Sequence, residues 1–341
     1  MFRYTLALTI CLGLLLGCSQ EKPVTGKTPD STPPVQTAMT VGDFQLQDPI
    51  QAGSVSIIPV SSTKGQIQQD GNFMTLSEAK KEGLVEITEL GEGDVNALRV
   101  ENKGTRPLLL LGGDLLLGGK QDRIVARDVI VPPGKTMNIE VYCVEHGRWE
   151  GQSEHFEYKG AVVPNTVRQA ATYGDQQEVW GEVDKYNTAN GSADPSLPVS
   201  KGMSSGRVVQ TLSDDVPKVL EKLKDQKNVV GFIYILNGEV QSADLFGNTR
   251  IFDTAKESLL KSYLADGASH VSDANSKVDM DACKKFMEEV IEGRKARTRN
   301  SSLNESVRYQ GRETRGMEVM AGSSRESAGF VHGSYAPSKK N

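Results

Sequence analysis

From residue 54 onward the chain moves between two hydrophobic rhythms. SVSIIPVSS (54–62), LVEITEL (84–90) and NALRVEN (96–102) are short runs rich in β-branched residues, bounded by Gly, Asn and Asp, and read as strands. Between the first two, TLSEAKKEG (75–83) has the spacing of a short helix, with Thr75 or Ser77 able to cap it and Gly83 at its exit. RIVARDVIVPPG and KTMNIEVYCVE read as two further strands joined by a turn at Val131–Lys135. From about residue 164 the period lengthens. TVRQAATYGDQQEVWGEVDKYN sets Val167, Ala170, Ala171, Val179, Trp180 and Val183 at helical spacing. After a loop at 190–206, SDDVPKVLEKLKDQ (213–226) predicts a helix capped by Ser213, with Pro217 near its first turn. VVGFIYI and EVQSADLF flank Asn237-Gly238, the strongest hairpin pattern in the chain. Two amphipathic stretches, FDTAKESLLKSYLADG and VDMDACKKFMEEVIEG, then precede the closing strands SVRYQGRE, GMEVMAG and SAGFVHGSY. The sum predicts an α+β fold. A β-rich N-terminal half packs with an α/β C-terminal half in one compact unit over 41–336, with a short tail at 337–341 and no repeat at solenoid period.

The first forty residues follow neither rhythm. MFRYTLALTICLGLLLGCSQ carries one early cation, Arg3, and a mostly apolar run from Leu6 to Leu16. That run is shorter than the ~20 residues of a spanning helix and fits a secretory leader, with an uncleaved anchor as the alternative. Its ending, Leu15-Leu16-Gly17-Cys18, resembles the lipobox of bacterial lipoproteins. The resemblance implies a signal peptide over 1–17, cleavage before Cys18, and acylation of that cysteine on sulfur and amine. The partner would then be a lipid bilayer, held by acyl chains at ~0.8 kcal/mol per buried methylene. Ser19, where an aspartate would suggest the inner membrane, points to the outer membrane facing the periplasm. Residues 19–40, rich in Pro, Thr, Ser and Lys, are too polar to bury a core and read as a tether.

Composition narrows the function classes. The chain has 341 residues, 37% of them hydrophobic, and a formal charge of −5, which argues against a multi-pass membrane protein and against a nucleic-acid partner. With Cys11 in the leader and Cys18 lipidated, Cys143 and Cys283 are left, either as buried thiols or as a bridge.

The most informative block is LLLLGGDLLLGGKQDRIVARDVIVPPG, residues 108–134. Its leucine runs are too short to cross a membrane. A phosphate loop is excluded as well: Asp114 stands where the first glycine should be, Gln121 replaces the Ser or Thr, and a strand follows instead of a helix. The block reads as buried strand, glycine bend, polar cluster and strand. The cluster holds Asp114, Lys120, Gln121, Asp122 and Arg123, and CVEHGRW adds Cys143, Glu145, His146, Arg148 and Trp149. In the strand from Thr136, Met137, Ile139, Val141, Cys143 and Glu145 share a face, so an apolar row ends in a carboxylate. A buried carboxylate requires a cation or donors, and Arg123 or Arg148 can supply them. His146, Glu150, Glu154 and His155 do not have zinc-site spacing, so no metal is assigned. His332 reads as a plain strand histidine, and Cys143 as core.

GGDLLLGGKQDRIVARDVIVPPG and VYCVEHGRWEG together resemble the ADP-ribosylglycohydrolase- and rhodanese-phosphatase-superfamily-associated protein domain. The likeness continues more weakly through VVGFIYILNGEVQSADLFGN and GFVHGSY, over roughly 45–336. Lys120, Gln121, Arg123, Cys143, Glu145, Gly147, Arg148 and Trp149 match; Asp114 stands where Glu is more usual, and Asp122 where Asn is expected. The family name implies an association with ADP-ribose and phosphate chemistry, without fixing a reaction. Two functions follow as expectations. In one, the domain binds or processes a phosphorylated or nucleotide-like small molecule. Gln121, Arg123 and Arg148 would grip anionic oxygen, Trp149 would stack, and Glu145 with Asp114 would do acid–base work. In the other, the protein is a non-catalytic envelope lipoprotein whose Glu–Arg cluster only locks two loops. The sequence names no cofactor.

Overall fold

The computed structural model describes residues 43–64, 72–91, 95–146, 153–192, 194, 196–273, 276–295, 303–322 and 328–338. The leader, Cys18 and the tether lie outside the described residues. Among the described residues, no helix is long and apolar enough to cross a membrane.

Three sheets carry the fold. The largest has eight strands, in the order β1 (Phe44–Leu46), β3 (Val55–Ser62), β13 (Val229–Leu236), β14 (Glu239–Phe246), β17 (Gly329–Pro337), β16 (Thr314–Ala321) and β15 (Ser306–Gln310), with β2 (Ile50–Ala52) also paired to β3. A six-stranded sheet runs β12 (Phe156–Val162), β8 (Asp114–Gly118), β9 (Arg123–Val125), β11 (Thr136–Cys143), β6 (Ala97–Asn102) and β5 (Val85–Glu89). The third has three strands, β10 (Val129–Val131), β7 (Leu108–Leu110) and β4 (Met74–Thr75). The helices are α1 (Leu76–Lys81), α2 (Asn165–Tyr173), α3 (Gln176–Ala189), α4 (Val199–Met203), α5 (Gly206–Leu223), α6 (Thr249–Ala268) and α7 (Met280–Lys295). The expected α+β class, with a β-rich first half, is the observed one.

The large sheet is covered on both faces, which explains the unbroken apolar run of β13. Phe232, Tyr234 and Leu236 face a core shared with Val219 and Leu223 of α5 and Leu259, Leu260 and Tyr263 of α6. Val230, Ile233 and Ile235 face the opposite core, against Phe286, Met287, Val290 and Ile291 of α7. The β13–β14 hairpin turns at Asn237 (φ 47°) and Gly238 (φ 84°), the paired positive φ values that an Asn-Gly loop tolerates. Thr75 caps α1 in a reciprocal capping box with Glu78. Along β11, exposed and buried positions alternate as expected, ending in buried Cys143.

The structure corrects four expectations. RIVARDVIVPPG is two strands in different sheets, because the chain leaves β11 after Val125 and pairs again with Leu108–Leu110 as β10. The turn at 132–135 therefore joins strands that are not paired to each other; Arg123 reaches the end of β11 through β9, opposite Cys143. The stretch 166–187 is two helices separated at Gly174 and Asp175, where the Asp175 carboxylate caps α3 by accepting from the Gln177 and Glu178 amides. The next helix begins at Gly206, not Ser213: Ser205 caps it, and burial of Val208, Val216, Val219 and Leu223 along one stripe carries it through Pro217. The loop expected at 190–206 contains α4. Cys143 and Cys283 are both buried free thiols.

Candidate functional site

The residues that the polar cluster brought forward separate into two buried groups. The first sits where the β8–β9 turn meets the end of β11. Gly119 in that turn has φ 55°, and a Cβ there would come within 2.2 Å of the Phe156 ring, so only glycine allows the turn to lie this close to β12. The Lys120 amide donates to Glu89 Oε1 at 2.9 Å and holds the turn over β5. Gln121 Nε2 donates to the Glu145 carbonyl at 3.0 Å, and the Asp122 amide donates to Glu145 Oε2 at 3.1 Å. Gln121, Asp122, Arg123 and Glu145 are thus brought together, all with under a tenth of their surface exposed. Gln176, at the start of α3, clasps the strand end: its amide donates to the Cys143 carbonyl and accepts from the Cys143 N–H, both at 2.8 Å. His146 and Trp180 pack beside it with ring centroids 4.3 Å apart and planes tilted by 38°. Arg148 and Trp149 lie outside the described residues.

Arg123 is the unusual member. It is 0% exposed, yet no carboxylate lies in ion-pair range of it among the described residues. Its Nε donates to the Val95 carbonyl at 3.2 Å, and Nη1 donates to Gln121 Oε1 at 3.3 Å and to the Asp122 carbonyl at 3.4 Å. Nη2 is buried and has no hydrogen-bond partner. Of the two arginines expected beside Glu145, Arg123 does not pair with it, and Arg148 lies outside the described residues; the Glu145 carboxylate accepts the Asp122 N–H. A buried cation that neutral acceptors serve only in part is costly, and an anion would remove that cost.

The second group includes Asp114, which sits at the opposite end of β8, roughly 14 Å along the strand from its last residue. Its carboxylate accepts the Leu111 N–H at 2.8 Å. Burial pushes the Asp114 acid up to about 7, against the opposing effect of the Leu111 bond. Asp114 and Glu145 therefore belong to different groups and do not form an acid–base pair. Beside Asp114 lies a closed ion network. Arg168 of α2 holds Asp244 of β14 bidentately at 2.7 and 2.6 Å and donates from Nε to the Gly112 carbonyl at 2.8 Å. Tyr263 of α6 donates to the same carboxylate. His332 of β17 bridges Asp128 through Nδ1 and Asp244 through Nε2, the latter at 3.1 Å. Asp128 in turn accepts the Gly112 N–H at 2.8 Å.

The shifts in this network follow from its charges. Burial would lower the His332 imidazolium, but the two carboxylates outweigh it and raise it to about 9, so both ring nitrogens donate near neutral pH. Burial would raise the Asp244 carboxyl, yet the Arg168 charge and the bonds from His332 and Arg168 hold it well below the ordinary carboxylate range. The two cations and two aspartates balance, and the network makes no opening toward solvent. It ties α2, α6, β14, β17 and the segment after β9 into one unit.

The profile of the ARG and Rhodanese-Phosphatase-superfamily-associated Protein domain matches residues 43–336. The chain belongs to this family. No characterised protein matches the chain, and neither does any solved structure. The match spans every element from β1 to the end of β17 except its last residue, so the domain is the whole described fold.

Sequence reasoning missed Arg168, Asp244, Asp128, Tyr263 and His332. The signal was a charge set inside an apolar run: Arg168 beside Val167, Ala170 and Ala171, Asp244 between Ala243 and Leu245, His332 after Phe330 and Val331. Each is isolated in the chain, and the charged pairs Arg168–Asp244, His332–Asp244 and His332–Asp128 span 76, 88 and 204 residues.

Proposed function

We propose that this domain binds a phosphorylated or nucleotide-like small molecule at the junction of the β8–β9 turn and the end of β11. The observation that carries the reading is Arg123: a fully buried guanidinium with no carboxylate partner among the described residues and a free Nη2 donor. A phosphoryl oxygen supplies both the missing charge and the missing acceptor. Gln121 orients Arg123 through its Oε1, and Glu145 fixes the turn from below. Arg148 and Trp149 follow Glu145 by three and four residues in sequence, and we assign them to the same ligand. Binding rather than catalysis is the reading: Asp114 lies too far along β8 to be an acid–base partner of Glu145. The N-terminal sequence supports an envelope lipoprotein held in the outer membrane through acylated Cys18.

The test is calorimetry and thermal shift on the full-length chain in detergent, with ADP-ribose, inorganic phosphate and free ribose. ADP-ribose should raise the melting temperature in proportion to the logarithm of its concentration, and ribose should not. Arg123→Met should lose that response while its circular dichroism stays native. No response to either anion from the unaltered protein would leave the structural reading, in which Glu145 only ties the turn to the strand end. Separately, Cys18→Ala should move the chain from the detergent phase to the aqueous phase on cloud-point partition.

A further inference from the structure

A second site lies on the far side of α3. A groove of about 490 Å³ runs between α2 and α3 on one side and the ends of β14, β16 and β17 on the other, within the size range of small-molecule sites. Gln169 of α2 lines it, and neither its amide nitrogen nor its amide oxygen has a hydrogen-bond partner, although both are buried. Arg315 of β16 lines it too, and its buried Nε–H is likewise without an acceptor. Two polar groups in need of partners on one groove are not accounted for by packing, since buried polar groups in folded proteins are nearly always paired.

We infer that this groove is a binding site for a small amide-bearing carboxylate, such as the C-terminal end of a short peptide. A side-chain amide that lacks both a donor and an acceptor is matched by another amide, which offers one of each. An Arg Nε–H that lacks an acceptor is matched by a carboxylate. The walls exclude two other ligands. Glu178 and Glu182 stand on the α3 wall, and Lys185 is already paired with Glu182 at 2.7 Å, so Arg315 is the lining cation left to balance an anion, enough for a monoanionic carboxylate and too little for a phosphate dianion. Among the described residues that line the groove none is aromatic, so no ring is offered for a nucleobase to stack on. Gly181 gives the groove its depth. A Cβ built there meets nothing within 4 Å, so a side chain at this position would fill open space.

This site is independent of the anion site: α3 turns Gln176 toward β11 and Glu178, Gly181 and Glu182 toward the groove. The probes are trialanine with a free C-terminal carboxylate and trialanine amide, titrated by calorimetry into the full-length chain in detergent. The free acid should bind, and the amide about tenfold or more weakly. Gly181→Leu should abolish binding while melting no lower than the unaltered protein, because leucine replaces glycine in a helix and clashes with nothing. Gln169→Leu should also abolish binding, with an unchanged or raised melting temperature, since it deletes an unpaired buried amide; a merely structural glutamine would lower it. No binding by the unaltered protein, equal binding of acid and amide, or binding retained in both variants would overturn the inference.

Discussion

Arg168 and Arg123 are both buried guanidinium groups, and their surroundings separate a fully paired cation from the one proposed to meet a ligand. Arg168 has a bidentate carboxylate, shared with Tyr263 and His332, and the Gly112 carbonyl, and burial of the ion pair is complete. Removing one partner strands the other charge in the core, so Arg168→Met should cost about 3–5 kcal/mol, read as a lowered urea midpoint. Arg123 has no such counter-charge to strand, and Arg123→Met should cost less in the ligand-free protein. The comparison of the two midpoints checks the assignment of roles. The glycine at 113 belongs to the same argument: its φ is 91°, and a Cβ would stand 2.9 Å from Arg168 Cγ, so the bend after the first leucine run exists to let that guanidinium pass. The sequence marked the glycine pair as a bend but held no sign of what approaches it, because Arg168 lies on another element.

At the scale of elements, local chemistry was legible and long-range pairing was not. The α1 capping box, the Asn237-Gly238 hairpin and the alternation along β11 were readable because their causes lie within a few residues. The split of 123–131 between two sheets was hidden, since it depends on β7 capturing β10 after Val125 has finished pairing with Val141. The start of α5 was missed because Pro217 was taken as an early-turn residue, whereas it sits deep in the helix. An interior proline removes one helical hydrogen bond and crowds the preceding turn. Pro217→Ala should therefore raise the thermal midpoint, by up to roughly 3 kcal/mol of stability. By contrast Asn248→Ala, which removes the acceptor for the Ile251 amide at the start of α6, should lower it by about 1 kcal/mol.

Across the whole molecule, the buried charges set how stability depends on pH. Asp114 keeps its proton in the fold up to about 7, whereas the unfolded chain ionises it near 4. Between those values the folded state binds the extra proton, so stability falls as pH rises. His332 stays charged in the fold to about 9, and its contribution is complete below the ordinary histidine value near 6.5 and fades as pH climbs through 9. Asp244 acts in the opposite direction: its stabilisation is present above the ordinary carboxylate range and is lost on acidification. The urea midpoint should peak at mildly acidic pH and decline toward pH 9. Asp114→Asn, which mimics the neutral acid, should flatten the part of the decline below pH 7; an unchanged slope there would contradict the buried acid. The polar cluster legible in the sequence holds the residues proposed to bind an anion, but the charge network that governs this curve joins residues whose only shared property is their place in the fold.

The order of the largest sheet has a consequence for how the chain is made. The strand inserted between β14 and β16 is β17, which is made after every other strand described, and it carries His332. Until residue 337 has emerged, β14 has an open edge, Asp244 and Asp128 lack their shared bridge, and the central core is incomplete. For a chain with the secretory leader proposed above, that delay is useful. If the proposed leader exports the chain, translation would leave the domain in a state that a translocation channel can thread, and folding would complete only once β17 has crossed.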